Sequence, residues 1–553
     1  MAISPPRPGA GRITHDVVNQ APPLAPSNLF TADASLVEAL EREGGGWGHE
    51  RAATAGERWG SPEVLEWAVQ ANEHPPVLRT HDRYGNRIDE VDFHPAWHEL
   101  MRLSSESGVH ALPWTSDRPG AHAVRTALGL LGGQVEAGHG CPMTMTFAAV
   151  PALRTQPDLA AEWEPLLTAA SYDGRLVPAA EKGSAKCGMS MTEKQGGSDV
   201  RANTTTATPL SGSGGAGEEY LLRGHKWFTS APMCDLFLVL AQTEEGVGCF
   251  AVPRILPDGT RNPFLLQRLK DKLGNKSNAS SEVEFDGTWG RLVGEPGRGV
   301  RTIIEMVGHT RLDCTIGSAA GMRMAVTQAI HHAQHRAAFG RTLVDQPLMR
   351  NVLADLALES EAATALAMRL ARAYDEGDQA LKRLGTAVAK YHVCKRFPGV
   401  AFEALECLGG NGYVEESGMP RLYREAPLNS VWEGSGNVNA LDVLRTLAKE
   451  PGAFDVFFSE LGEAAGADAR YDAFTTKLQQ TFADPESLEL RARRVVEDMA
   501  VAWQAGLLLR HAPHAVGDAF CAARLGGDRG LNYGTLPATT DFGAIIERAL
   551  PGA

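Results

Sequence analysis

Residues 428–445, LNSVWEGSGNVNALDVLR, set one carboxylate, Glu433, inside a Gly/Ser turn that opens onto an amphipathic helix. Gly434 and Gly436 let the backbone take tight or left-handed conformations. Ser435 and Asn437 are good N-cap residues for a helix with Val438, Leu441 and Leu444 on one face. A helix N-terminus offers free N–H groups and a positive dipole end, which suits a phosphate or a polarised carbonyl. A lone glutamate beside it is where a general base could meet an anionic cofactor. Taken alone, the stretch reads as an ordinary helix cap with an exposed Glu. Other stretches change that.

The chain has 553 residues, long enough for three or four domains with cores of their own. A net charge of −14 and a pI of about 5.7 exclude a generally basic, nucleic-acid-coating protein, though not a local basic patch. The eight cysteines (141, 187, 234, 249, 314, 394, 407 and 521) form no CxxC pair, which fits reduced thiols in a cytoplasmic protein. No metal site is expected: His331 and His335 lie one helical turn apart without a matching acid. No run approaches the roughly eighteen apolar residues of a membrane span, and no signal-peptide layout opens the chain. Residues 1–28 carry six prolines and read as an extended arm, disordered or draped over a neighbouring subunit.

The expected fold class is α+β and multidomain. After an arm over 1–33 come an N-terminal helical domain over 34–186 and a β domain over 187–296. The β domain is read as an antiparallel sheet or barrel from EYLLRGHKWFTSA, CDLFLVLAQ, GCFAVPRIL and SSEVEFDGTWGRLVG. A helical bundle over 297–450 and an extra helical domain over 451–553 complete the order.

Four further stretches bear on Glu433. Met189–Asp199, MSMTEKQGGSD, has a Gly-Gly pair that admits a ligand close to the backbone, with hydroxyls at Thr192 and Ser198. His225–Ser230, HKWFTS, puts an aromatic and a Thr on successive β positions, able to cover a planar ring. Arg336–Gly340, RAAFG, ends a long helix with a cation that could pair with a pyrophosphate. Leu408–Tyr413, LGGNGY, is a second glycine-rich approach. Each alone is ordinary core or loop; their occurrence in this order is not expected by chance. Gly212–Gly217, GSGGAG, formally fits GxGxxG, but a strand follows it, so it reads as a flexible hairpin loop.

In that order the motifs resemble the acyl-CoA dehydrogenase family over roughly residues 150–450. MTEKQGGSD is similar to the family's TEPxAGSD, WFT to its WIT, RAAFG to its RxxFG and WEGSGN to its YEGT. The resemblance implies an FAD between the β domain and the bundle. Met189, Met191, Thr192, Gly197, Ser198, Trp227, Phe228 and Thr229 would contact it, with Val431, Gly434, Ser435 and Asn437 alongside. Arg336, Phe339, Gln346, Gly409 and Gly410 would reach the FAD of an adjacent subunit, which implies a homotetramer. Glu406 stands where many members carry Gln, and Thr310 where some members place their base, which leaves Glu433 as candidate base. The implied chemistry is α-proton removal by Glu433 as hydride leaves Cβ for the flavin.

Three longer stretches (75–101, 141–151 and 420–445) resemble the AidB-like branch of this superfamily, the alkylation-response flavoproteins. That implies weak or ancillary isovaleryl-CoA-type dehydrogenation, and binding of double-stranded DNA through the C-terminal region in the response to DNA alkylation. The alternative is a metabolic dehydrogenase of short or branched acyl-CoA, with the C-terminal domain used for assembly. Composition does not favour DNA by itself, because residues 451–553 hold nine Lys and Arg against fourteen Asp and Glu. The best basic cluster is Arg491, Arg493 and Arg494, with Arg510 and Arg524 as further candidates and Glu497 and Asp498 opposing them.

Overall fold

A computed structural model describes residues 15–212 and 214–550. Helices flank one sheet on both sides in the chain. The first group is Ala34–Arg42, His49–Trp59, Pro62–Glu73, Pro95–Ser107, Ala121–Val135, Gly140–Leu153 and Pro157–Leu167. Local chemistry sets several starts: Asp33 and Ser61 accept from Leu36 N and Val64 N, and Pro62 and Pro95 occupy first-turn positions where no N–H is needed. One feature was not expected in this helical stretch. Strands β1 (Val77–His81) and β2 (Arg87–Asp92) form a hairpin, its turn folded by Asp82 accepting from Tyr84 N and Asn86 N.

The sheet comprises β3 (Cys187–Ser190), β4 (Thr206–Pro209), β5 (Glu219–Ser230), β6 (Leu236–Thr243), β7 (Gly246–Pro253), β8 (Phe264–Leu269) and β9 (Ser280–Leu292). Strand order is β3-β6-β4-β5-β9-β7, with β8 on β9, and a further β6–β7 pairing closes the path into a barrel. Pairing is antiparallel except that β6 runs parallel to both β3 and β4. Short β3 and β8 remain as edges, paired only to β6 and β9, and Phe237, Phe250, Phe264 and Phe285 are buried in the barrel core. GSGGAG lies between β4 and β5, which pair antiparallel; its Ser213 is outside the described residues.

The bundle is built on Gly299–His335, a 37-residue helix buried along most of its length, packed by Pro347–Asp375 and Gln379–Cys407. Met419–Glu425, Leu428–Val431 and Gly436–Lys449 follow. The last stretch adds Pro451–Gly462, Ala469–Thr481, Leu488–His511, His514–Phe520 and Phe542–Ala549. Helix Leu488–His511 lies against Pro347–Asp375, Gln379–Cys407 and Gly436–Lys449, and its Trp503 is fully buried, so one apolar core runs from bundle into addition.

Of the proline-rich arm, residues 1–14 are outside the described residues. The rest makes contacts with its own chain. Asn19 exchanges hydrogen bonds with both the N–H (2.7 Å) and C=O (2.9 Å) of Ala337, and Pro22 O meets His331 Nε2 at 2.8 Å.

Candidate active site at the barrel–bundle junction

The WEGSG turn is held from beneath by two long helices. On Gly299–His335, Arg311 Nε donates to Glu433 O (2.9 Å) and its Nη1 to Asp442 (2.7 Å); Arg383 pins Asp442 from the other side at 2.7 and 2.8 Å. On Gln379–Cys407, the buried Lys390 donates to Trp432 O at 2.8 Å and to Gly434 O. Asn439 Nδ2 donates to Gly434 O (2.6 Å) and Ser435 O (3.1 Å). These contacts hold Glu433 in the left-handed region at φ +57°, a conformation that favours glycine and that a carboxylate keeps only under outside constraint. Ser435 is the N-cap residue of Gly436–Lys449 but makes no side-chain cap bond; Asn437 falls inside the helix, exposed, and caps nothing.

Glu433 faces a cavity of about 1010 Å³ between barrel and bundle. Its Oε2 accepts from Thr310 Oγ1 at 2.5 Å. Burial raises its pKa above the ordinary carboxyl value; the Thr310 bond and the charges of Lys390 and Arg311 oppose that rise without cancelling it. Cys141, on the same wall, is pushed by burial up to about 12, so its thiol stays protonated. A carboxylate with raised proton affinity, enclosed and fixed, is suited to removing a proton from carbon.

Met189, Met191, Thr192, Gly197, Ser198, Phe228, Val431, Gly434 and Ser435 line this cavity with Glu433. Trp227, Thr229 and Asn437 do not. The register of β5 on β9 shifts between Lys226 and Thr229, a bulge that takes Trp227 off the cavity wall, where Lys270 Nζ stands 3.3 Å from its ring centroid. Thr229 is fully buried and pairs its hydroxyl with Ser190. Nor do Arg336, Phe339, Gln346, Gly409 and Gly410 touch the cavity. RAAFG folds into a two-residue hairpin with Phe339 and Gly340 at φ +52° and +78°, and Phe339 is wholly exposed. Arg336 donates to Asn19 O at 2.5 Å, Gln346 donates to Ala338 O, and Asn411 donates to Gln20. The arm therefore gathers the hairpin and the glycine loop onto one outer surface.

Sequence reasoning missed Lys390, Arg311 and Asp442. A lysine inside the apolar run AVAKYHV was the available signal, since Lys is almost never fully buried without a reason. Among the DNA candidates, Arg524 is corrected outright. It is buried against Asp355 and Glu359, and no phosphate can reach it. Arg510 is partly covered with Glu460 and Glu463 each 4.0 Å away, and Arg491 bonds Ser487; Arg493 and Arg494 are exposed, the first bonded to Tyr391 and the second paired with Asp498.

The cavity fits a flavin dinucleotide in size and chemistry. It stands at the upper end of ligand-site volumes and mixes thioethers, hydroxyls and an aromatic wall, the half-exposed Phe228. At Gly197 a Cβ would stand 2.4 Å from Thr192 Oγ1, so the bare backbone is what keeps that hydroxyl in place.

Three family profiles match the chain: adaptive response protein AidB N-terminal domain over residues 19–174, acyl-CoA dehydrogenase middle domain over 188–288, and acyl-CoA dehydrogenase C-terminal domain over 297–448. The chain is 47% identical over 518 residues to the Escherichia coli (strain K12) protein named "Putative acyl-CoA dehydrogenase AidB", covering 93% of this chain and 94% of that one. It is 31% identical over 406 residues to acyl-CoA dehydrogenase family member 11 of Caenorhabditis elegans, covering 70% of this chain and 64% of that protein. The crystal structure of Caenorhabditis elegans ACDH-11 in complex with C11-CoA superimposes with a TM-score of 0.85 at 26% identity, over 95% of each chain. This chain therefore belongs to the AidB branch of the acyl-CoA dehydrogenase family, and is an FAD-dependent oxidoreductase of the class acting on CH–CH groups.

Proposed function

We propose that the cavity takes an acyl-CoA thioester for α,β-dehydrogenation, with Glu433 as the base. The observation that carries this is the enclosed Glu433 carboxylate, locked at φ +57° in the cavity wall with Thr310 on its oxygen. The Glu433 N–H makes no hydrogen bond among the described residues, so it is available to a thioester carbonyl, whose polarisation acidifies the α-C–H. Arg311 and Lys390 keep that N–H and the carboxylate in fixed relation. Bound there, FAD supplies the hydride acceptor. Anaerobic flavin bleaching by a panel of acyl-CoA thioesters tests this. The Glu433→Gln protein should stay yellow and lose bleaching entirely; unchanged turnover removes Glu433 from the reaction.

Two parts of the reading concern partners. The exposed Phe339 hairpin and the Gly409–Tyr413 turn, held together by the arm, form a surface suited to reach a neighbouring subunit's cofactor in a homotetramer. Binding of double-stranded DNA in the alkylation response, with dehydrogenation weak or ancillary, is favoured over a purely metabolic role. Support comes from the AidB relative, from the adaptive-response N-terminal profile, and from exposed Arg493 standing near enough to Lys395 for their charges to interact. No helix among the described residues is long and apolar enough to cross a membrane, and a cytoplasmic setting accords with eight free cysteines.

A further inference from the structure

The cavity has a second charged wall. Glu425, closing helix Met419–Glu425, faces it together with Lys272 and Arg421. Glu425 accepts from Asn275 N (2.6 Å) and Asn275 Nδ2 (2.9 Å). Burial, helped by the charge of Glu136, pushes it up to about 7 against those bonds. Glu136 behaves oppositely. Burial opposes its ionisation, but bonds from His139, Ser277, Asn72 and Gly138 outweigh that and hold it near 2. The one settled anion of this wall is thus already saturated.

The cations are not. Arg421 spends one donor on Val135 O at 3.3 Å, and Lys272 one on Asn278 O at 2.6 Å. Neither makes an ion pair among the described residues, although burial depresses the pKa of both. A guanidinium with most of its fork unused, facing an enclosed space, penalises an aliphatic chain laid against it and welcomes a carboxylate, which it can grip with two bonds. With Glu425 neutral, the anion left beside Arg421 is Glu136, whose oxygens are already taken by hydrogen bonds from His139, Ser277, Asn72 and Gly138. Glu433, Cys141, Lys272 and Arg421 all line the same cavity.

We propose that the acyl group received here ends in a carboxylate, held by Arg421 with Lys272 beside it, making the substrate class an ω-carboxyacyl thioester of coenzyme A. This rests on Glu433 being the base of an acyl-CoA reaction, so the test separates binding from turnover. Holoprotein carrying Glu433→Gln is titrated with glutaryl-CoA and with pentanoyl-CoA, equal in chain length, and binding is followed through the flavin absorption band and by calorimetry. Glutaryl-CoA should bind roughly ten- to hundredfold more tightly, the range of a charge-assisted pair left unmade. Arg421→Gln should erase that preference while leaving pentanoyl-CoA binding unchanged, and Lys272→Gln should reduce it. Equal binding, or tighter binding of pentanoyl-CoA, overturns the proposal. So does an Arg421→Gln protein of normal flavin content that loses both thioesters alike. Selective binding of glutaryl-CoA to the wild type without bleaching would count against Glu433 alone.

Discussion

Glu433 combines three properties that a surface glutamate does not: a left-handed backbone, an enclosed carboxylate, and a hydroxyl on one oxygen. Thr310 is the adjustable partner. Its O–H stabilises the ionised form, so Thr310→Val should move the pH at which flavin bleaching switches on upward by about one to two units, and Thr310→Ser should restore it. A pH–rate profile unaffected by Thr310→Val would show that the hydroxyl does not tune the base. Stability gives a second readout. Burial places the folded-state pKa above the unfolded value, so the stability this group contributes is full below the unfolded value and is lost as pH rises through the folded one. Glu433→Gln should therefore melt at or above the wild-type temperature at pH 8, and the gain should vanish toward pH 4. A variant that melts lower at pH 8 contradicts the raised pKa.

The C-terminal helices are fastened to the bundle by a buried charge network as well as by apolar packing. Arg524, in the π-helical turn Cys521–Leu525, meets Asp355 and Glu359 of helix Pro347–Asp375. Arg396 of helix Gln379–Cys407 meets the same Glu359 at 2.9 Å and bonds Tyr533 at 2.6 Å. Removing one partner of such a set strands the other in a dry site. Arg524→Met should cost about 3–5 kcal/mol in urea unfolding and expose the segment after residue 451 to protease first. A loss below about 1 kcal/mol would mean that the apolar face around Trp503 does the fastening.

The molecule as a whole is acidic, so DNA binding has to come from local geometry. With Arg524 buried and Arg510 shielded, Arg493 and Arg494 on helix Leu488–His511 are left exposed, the first near Lys395 and the second paired with Asp498. If duplex DNA binds there, its affinity falls steeply with salt, and Arg493→Glu with Arg494→Glu lowers it by at least an order of magnitude in a gel shift. Affinity indifferent to both would move the interface elsewhere, while a chain ending near Glu450 that still binds would acquit the C-terminal helices.

The order of helices, barrel and bundle was legible because period and turn chemistry are local, and so was the turn that carries Glu433, because Gly434, Ser435 and Gly436 mark a tight turn before an amphipathic helix whatever surrounds it. The strand character of HKWFTS was legible too, but not which of Trp227 and Phe228 would face the cavity. That was decided by the register shift of β5 on β9 between Lys226 and Thr229, which the partner strand imposes. Arg491 to Arg524 read as one basic group along the chain, yet folding buries one and screens another, since burial is set by contacts more than a hundred residues away. The same holds for Lys390, Arg311 and Asp442, which converge on the Glu433 turn from three helices. A single sequence states which side chains exist and what their neighbours in the chain make them do. Proton affinity, solvent and partners belong to whatever the packed chain brings alongside.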